Sequence, residues 1–163
     1  MVTALRVATI GEADAITELV NAAFRVEDFF KTGDRTDVSE VRRHFVSGQF
    51  LVLDADAPSP SRRRIAGCVY LEQNGSDAYF GMLSVDPDRQ RQGIGRLLID
   101  ALEARCRDAG CTHVEIHVIN LREELPPLYR RFGYVETGTM PGEDEGLSTM
   151  PYHFIVMRKV LLP

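Results

Sequence analysis

"DPDRQRQGIGRLL", Asp86 to Leu98, sets four charged residues and two glutamines ahead of a bare Gly-Ile-Gly and then turns apolar. Upstream, "AYFGMLSV" has the apolar, aromatic character of a strand. Downstream, Ile94, Leu97, Leu98, Ala101, Leu102 and Cys106 recur at helical spacing until Gly110 stops the pattern. A strand, a two-glycine loop and a helix N-terminus form a recurring anion holder, because unpaired backbone N–H groups converge there and the helix dipole reinforces them. Pyrophosphate is the natural guest. Glycine matters twice: a Cβ would keep a phosphate away from the amides, and turn-like backbone angles cost glycine little.

The short pattern admits several readings. A P-loop would need Gly-Lys-Ser or Gly-Lys-Thr, and neither occurs. A dinucleotide fingerprint would place glycine or alanine where Leu98 stands, and Glu115, 20 residues after Gly95, falls in mid-strand rather than at a strand end. A glycine-rich strand-to-helix turn without a ligand stays open on this stretch alone.

Working outward, "LRVATI" reads as a short strand and "EADAITELVNAAF" as an amphipathic helix through Ile16, Leu19, Val20, Ala23 and Phe24. "RVEDFFKTGDRT" reads as a loop with exposed aromatics. It ends at Asp37-Val38-Ser39-Glu40, which resembles a capping box for a helix to about Phe45. "QFLVLDA" and "IAGCVYLEQ" are strands flanking a Pro/Ser-rich, charged loop that includes Arg62-Arg63-Arg64, and Asn74-Gly75 turns the chain into "AYFGMLSV". That makes an antiparallel meander. "THVEIHVIN" is reached through a helix and is therefore a parallel neighbour of the preceding strand. "LPPLYRRFG" reads as a short helix with Pro126 and Pro127 near its first turn, and "YVETGTM" and "HFIVMRKVL" as strands around an acidic, Gly-rich loop. The fold class is a mixed α/β sheet, with residues 1–163 as one domain.

A chain of 163 residues with 44% apolar and 26% charged residues suits a globular domain that buries roughly 70% of its unfolded surface. The formal charge of −5 with scattered Lys and Arg gives no extended basic footprint, so nucleic acid is not an expected partner. No basic leader with an apolar stretch opens the sequence and no window reaches 18 apolar residues, so no membrane is expected and a cytoplasmic location follows by default. Cys68, Cys106 and Cys111 lack metal-type spacing and read as small core residues. His113 and His117 stand four apart in a strand, about 13 Å, too far for one metal ion. No metal is expected.

"LSVDPDRQRQGIGRLLIDALEARCRDAGC" resembles the acetyl-CoA-binding motif of the GNAT superfamily of N-acetyltransferases, whose core is Gln/Arg-x-x-Gly-x-Gly/Ala, here Gln90-Arg91-Gln92-Gly93-Ile94-Gly95. "INLREELPPLYRRFGY" resembles its second motif, with Asn120 after the fifth strand and Tyr-x-x-x-Gly-aromatic at Tyr129 to Tyr134. The element order resembles that of the superfamily over nearly the whole chain. The resemblance implies a mostly antiparallel sheet with a parallel fourth and fifth strand that splay, and helices on both faces.

It also implies acetyl-CoA as co-substrate. Backbone amides from Arg91 to Arg96 would hold the pyrophosphate, with Gln90, Arg91, Gln92, Gly93, Ile94, Gly95 and Arg96 forming the loop. The pantetheine arm would follow Leu83-Ser84-Val85 and contact Asn120, while an N–H freed near Val85 would polarise the thioester carbonyl. Tyr129 matches the position of the acid that protonates the departing thiolate. Glu72, His117 and Glu27 are candidates for the general base. The acceptor mouth would be lined by "RVEDFFKTGDR" and "TMPGEDEGLSTMPYH", offering Phe29 and Phe30 as walls, Glu27, Asp28, Asp34 and the cluster Glu143, Asp144 and Glu145 as anions, and Lys31 and Arg35 as cations. A small aliphatic or amino-acid-like primary amine is the expected acceptor. Acetylation of a protein or peptide amine, a non-catalytic acyl-CoA sensor, and a monomer or a homodimer all remain open at this point.

Overall fold

The structure, a computed structural model, describes residues 2–55, 64–142 and 148–162. One seven-stranded sheet organises it: β1 (Val2–Val7), β2 (Gln49–Ala55), β3 (Arg64–Asn74), β4 (Asp77–Val85), β5 (His113–Ile119), β6 (Val135–Pro141) and β7 (His153–Val160), in the order β1-β2-β3-β4-β5-β7-β6. Neighbours run antiparallel except β4 and β5, which are parallel, so the expected mixed sheet and its parallel pair are present. Helices α1 (Ala13–Ala23) and α2 (Val38–Ser47) cover one face, and α3 (Ile94–Asp108) and α4 (Leu125–Arg131) cover the other.

Alternation along the strands builds two cores. Leu51, Leu53, Val69 and Leu71 pack toward Ile94, Leu98, Ile99 and Leu102 of α3, while Phe50, Val52, Cys68 and Tyr70 pack toward Ile16, Leu19 and Val20 of α1. All three cysteines are free and buried in these cores. Among the described residues no helix is long and apolar enough to cross a membrane.

The first strand differs from its predicted span. It begins at Val2 and ends at Val7, whereas Ile10–Glu12 form a 3-10 turn that "LRVATI" does not betray. Glu12 fixes that turn by accepting from Thr9 N–H at 2.8 Å and from the Arg6 guanidinium. Asp37 does cap α2, accepting from Glu40 N–H at 2.8 Å, but the Glu40 carboxylate turns toward Arg35, 4.0 Å away. The reading of exposed aromatics after α1 is half corrected: Phe29 is 60% exposed and Phe30 only 1%, because Phe24–Glu27 continue the helix as a 3-10 turn that aims Phe30 inward. Arg62, Arg63, Glu143, Asp144 and Glu145 lie outside the described residues.

Gly133, at φ +96°, ends α4 and returns the chain to the core. Tyr134 then donates its hydroxyl to buried Glu103 of α3 at 3.0 Å, and Lys159 of β7 reaches the same carboxylate at 2.7 Å. The aromatic that closes the second motif thus ties α3 to the last strand.

Candidate active site

β4 and β5 pair only at Asp77–His113, Ala78–Val114 and Tyr79–Glu115, and beyond these they part. A β-bulge in β4 sits where they separate. Met82 adopts φ +52°, and the register with β3 moves from Cys68–Ser84 to Tyr70–Gly81, so β4 spends one extra residue. The insertion inverts the facing of the strand: Ala78 and Phe80 face α3, Met82 faces α1, and Leu83 and Val85 pack toward α3 again. The Met82 carbonyl accepts the Ser84 hydroxyl at 3.0 Å. Asp86 N–H donates to Ala66 on β3 at 2.8 Å, so strand alternation turns Val85 N–H to the other edge, where the ladder with β5 has ended.

The loop after β4 coils tightly. Asp86 caps a 3-10 turn at Pro87–Arg89, then Arg91 at φ +65° and Gly93 at φ +79° curl the chain into α3. The first intrahelical bond runs from Leu97 N–H to Gly93 C=O at 3.0 Å, which leaves the N–H groups of Gly93, Ile94, Gly95 and Arg96 without helical acceptors. No side chain caps α3 and its first turn carries no acid, in contrast to α2. A Cβ on Gly95 would meet only Val85 Cγ2, at 3.9 Å, and otherwise stand in open space. Such a cradle of bare amides under a helix dipole fits a phosphate group.

A cleft of about 1180 Å³ runs from this loop through the wedge between β4 and β5 to the α1 side of the sheet. Tyr129, on α4, stands at the wedge and is 8% exposed. Phe80, Tyr134 and Phe132 surround its ring at centroid distances of 6.2, 6.1 and 6.4 Å, and its hydroxyl makes no hydrogen bond among the described residues. Burial pushes the phenol up to about 12.

The opposite wall is polar. Buried Glu27 accepts from Arg122 at 3.4 Å, and Arg122 also donates to Glu124 at 2.8 Å. Burial raises the Glu27 carboxyl despite Arg122, and burial lowers the Lys31 ammonium. Arg35 stacks over Phe24 at 5.3 Å. On β5, His117 Nε2 lies 2.8 Å from Glu115 Oε2, with the Tyr79 ring 4.9 Å from the imidazole. One cleft therefore presents anion-binding amides, an unpaired strand edge, a buried proton donor and a mixed-charge chamber.

A family model of the acetyltransferase (GNAT) domain matches residues 24–156. The chain belongs to the GNAT family. This GNAT chain is 31% identical over 106 residues, 64% of its length, to the probable N-acetyltransferase 14 of Danio rerio, and the match spans 36% of that relative's own length. In fold it is similar to a putative phosphinothricin N-acetyltransferase, with a TM-score of 0.78, 16% identity and full coverage of both chains. It is also similar to yncA, a putative acetyltransferase from Salmonella typhimurium described with its cofactor acetyl-CoA, with a TM-score of 0.73, 20% identity, and coverage of 100% of this chain and 95% of that one.

The GNAT cleft gathers most of the residues singled out in the sequence. Leu83, Val85, Gln90, Arg91, Gly93, Ile94, Gly95 and Arg96 line it on the loop side, Tyr129 and His117 line it at the wedge, and Glu27 and Phe30 line the far side with Lys31 and Arg35. Five others stand apart. The Ser84 side chain is buried and spent on the Met82 carbonyl, because the bulge turned it away. Gln92 is exposed beyond the loop, and Phe29 is exposed against Phe30. Glu72 accepts the Tyr70 hydroxyl at 2.9 Å outside the cleft. Asn120 is occupied by β7, its Oδ1 accepting His153 N–H at 2.8 Å and its own N–H donating to the His153 carbonyl at 3.0 Å. Arg122 and Tyr79 line the cleft without having been singled out. Arg122 lies two residues past Asn120 in "INLREE", but its partner Glu27 is 95 residues away, a pairing no local pattern signals.

Proposed function

We propose that the protein transfers an acetyl group from acetyl-CoA directly to the primary amine of a small molecule. The observation that carries this reading is the meeting, in one cleft, of an uncapped helix N-terminus, a strand edge without its neighbour, and a buried phenol. The amides of Arg91 to Arg96 would take the pyrophosphate, with Gly95 leaving them uncovered. The edge at Leu83 and Val85 would take the pantetheine amides in the place β5 vacates. Acetyl-CoA, when bound, supplies a thioester whose carbonyl an amine attacks and whose sulfur departs.

Val85 N–H is the donor available to the carbonyl oxygen as it gains charge, a fixed dipole that costs no reorganisation. Tyr129, with its phenol at about 12, keeps its proton throughout the neutral range and serves the departing sulfur. The chamber around Glu27, Lys31, Arg35 and Arg122 suits a compact acceptor that carries polar groups, walled by Phe24, Phe30 and Tyr79.

Thiol release from acetyl-CoA with polyamines, amino acids, aminoglycosides and lysine-containing peptides tests the proposal. Turnover with a small amine is expected. CoA binding by calorimetry without turnover on any amine would favour an acyl-CoA sensor, and a strong preference for peptides would overturn the small-molecule acceptor.

A further inference from the structure

His117 and Glu115 are alternate residues of β5 and share the face opposite the core residues Val114, Ile116 and Val118. The imidazole lines the cleft on the acceptor side. Its Nε2 is 2.8 Å from Glu115 Oε2, and Nδ1 has no partner among the described residues. A carboxylate can only accept, so of the two tautomers of the neutral ring the contact selects the one with its proton on Nε2 and its lone pair on Nδ1. The Tyr79 ring packs against the imidazole at 4.9 Å, and Tyr79 lies where it does because residue 81 is glycine: a Cβ there would come within 2.7 Å of the Tyr79 hydroxyl. Behind the pair, Arg158 on β7 points Nε at Glu115 Oε1 from 3.8 Å and donates to Asp77 at 3.0 Å. The polar groups around the dyad are therefore Tyr79 and Asp77 on β4, Glu72 opposite Tyr79 on β3, and Arg158 on β7, where Val156 stands opposite His117.

We propose that His117 takes the proton of the acceptor amine at Nδ1, and that Glu115 is its positioning residue, holding the ring in the Nε2–H form. This rests on the acyl-transfer reading of the cleft. An ammonium acceptor loses one N–H bond as the Nδ1–H bond forms, leaving a neutral amine and an imidazolium. The Glu115 carboxylate stabilises that cation, which then yields its extra proton to water. The arrangement is the triad logic of base and orienting carboxylate, applied to an amine instead of a hydroxyl. Tyr129 belongs to the α3-side core with Val114, Ile116 and Val118, whereas His117 leaves the other face of β5, so the acid and base arms reach the wedge from opposite sides of the sheet.

Long-range 1H–15N spectra of the labelled protein, with no ligand added, read the His117 tautomer directly. Wild type is expected in the Nε2–H form and Glu115→Gln as a mixture, since an amide can present either a donor or an acceptor to Nε2. In acetyl transfer, His117→Gln should lower kcat by about 100-fold and Glu115→Gln by about 10-fold, with CoA affinity unchanged in both. A wild-type ring protonated at Nδ1, or a tautomer indifferent to Glu115→Gln, overturns the positioning role whatever turnover does. The expected tautomer with kcat within twofold in both variants overturns the base role and leaves His117 a wall of the cleft. If the wild type binds CoA yet acetylates no amine, the acyl-transfer reading fails and the base role fails with it, while the tautomer result still decides whether Glu115 sets the ring.

Discussion

Replacing Gly95 with glutamate should move stability and cofactor affinity in opposite directions. Gly95 is the second residue of α3, has ordinary helical backbone, and offers an added Cβ nothing nearer than Val85 Cγ2 at 3.9 Å. Leaving glycine for a good helix former at an unobstructed site gains about 0.5–1 kcal/mol, and a carboxylate in a first turn that has no acid adds about 0.3–1 kcal/mol through the dipole. The folded state should therefore gain about 1 kcal/mol. The same carboxylate stands among the amides that would receive pyrophosphate. At about 4 Å and an effective dielectric near 20, two like unit charges repel by about 4 kcal/mol, and discounting half for solvent and salt leaves about 2 kcal/mol, roughly 30-fold in affinity. Urea denaturation with an unchanged m value reads the first effect and calorimetry with CoA the second. Gly95→Ala is the control, since it should stabilise with a much smaller loss of affinity. A folded Gly95→Glu protein that binds CoA within threefold of wild type would refute the placement of the phosphate site.

Tyr129→Phe keeps the buried ring and removes the proton donor, so kcat should fall by about 100-fold with CoA affinity unchanged, and a fall of under twofold with chemistry limiting would reduce Tyr129 to packing. Glu27 is raised by burial, so the folded state binds its proton more tightly than the unfolded chain and stability drains away as pH climbs through the carboxyl range; Glu27→Gln should therefore gain on wild type in thermal melts between about pH 4 and pH 7, and a gap that stays flat or widens the other way would contradict the burial argument. Lys159→Met takes the 2.7 Å cation from Glu103, buried in α3, and leaves it the Tyr134 hydroxyl at 3.0 Å and Arg107 at 3.9 Å, so it should cost about 2 kcal/mol in chemical denaturation, and a cost of under about 0.5 kcal/mol would mean the pair behaves like an exposed one.

What the sequence made legible was local. The glycine loop could be read because left-handed backbone at Gly93 and bare amides before α3 are properties of a few adjacent residues, and the parallel pairing of β4 with β5 followed from the helix between them. Tyr129 and Gly133 were legible as a spaced pair for the same reason. The bulge was not: Met82 sits in the largely apolar stretch "AYFGMLSV", and a left-handed methionine leaves no compositional mark. With the bulge unseen, Ser84 passed for a cleft residue, although the inserted residue turns it inward. Phe29 and Phe30 were indistinguishable until the 3-10 turn before them set which one enters the core. The order of the last strands, with β7 between β5 and β6, and the pairing of Glu27 with Arg122 depend on contacts between distant segments that no window of sequence contains.

The brevity of the parallel seam has a mechanical consequence. Among the described residues, three ladder pairs join the half-sheet β1-β2-β3-β4 to the half-sheet β5-β7-β6, so along this line the sheet resembles a door on a short hinge, latched besides by the α3-side core and by side-chain ties such as Asp77–Arg158 and Glu27–Arg122. Amides of β4 that face the gap, Val85 among them, have no strand to shield them from deuterium, whereas their neighbours aimed at β3 do. A molecule laid along that edge would act as an eighth, removable strand and bolt the two leaves together. Its binding should slow exchange on both sides of the gap at once, and melt the two halves as one unit.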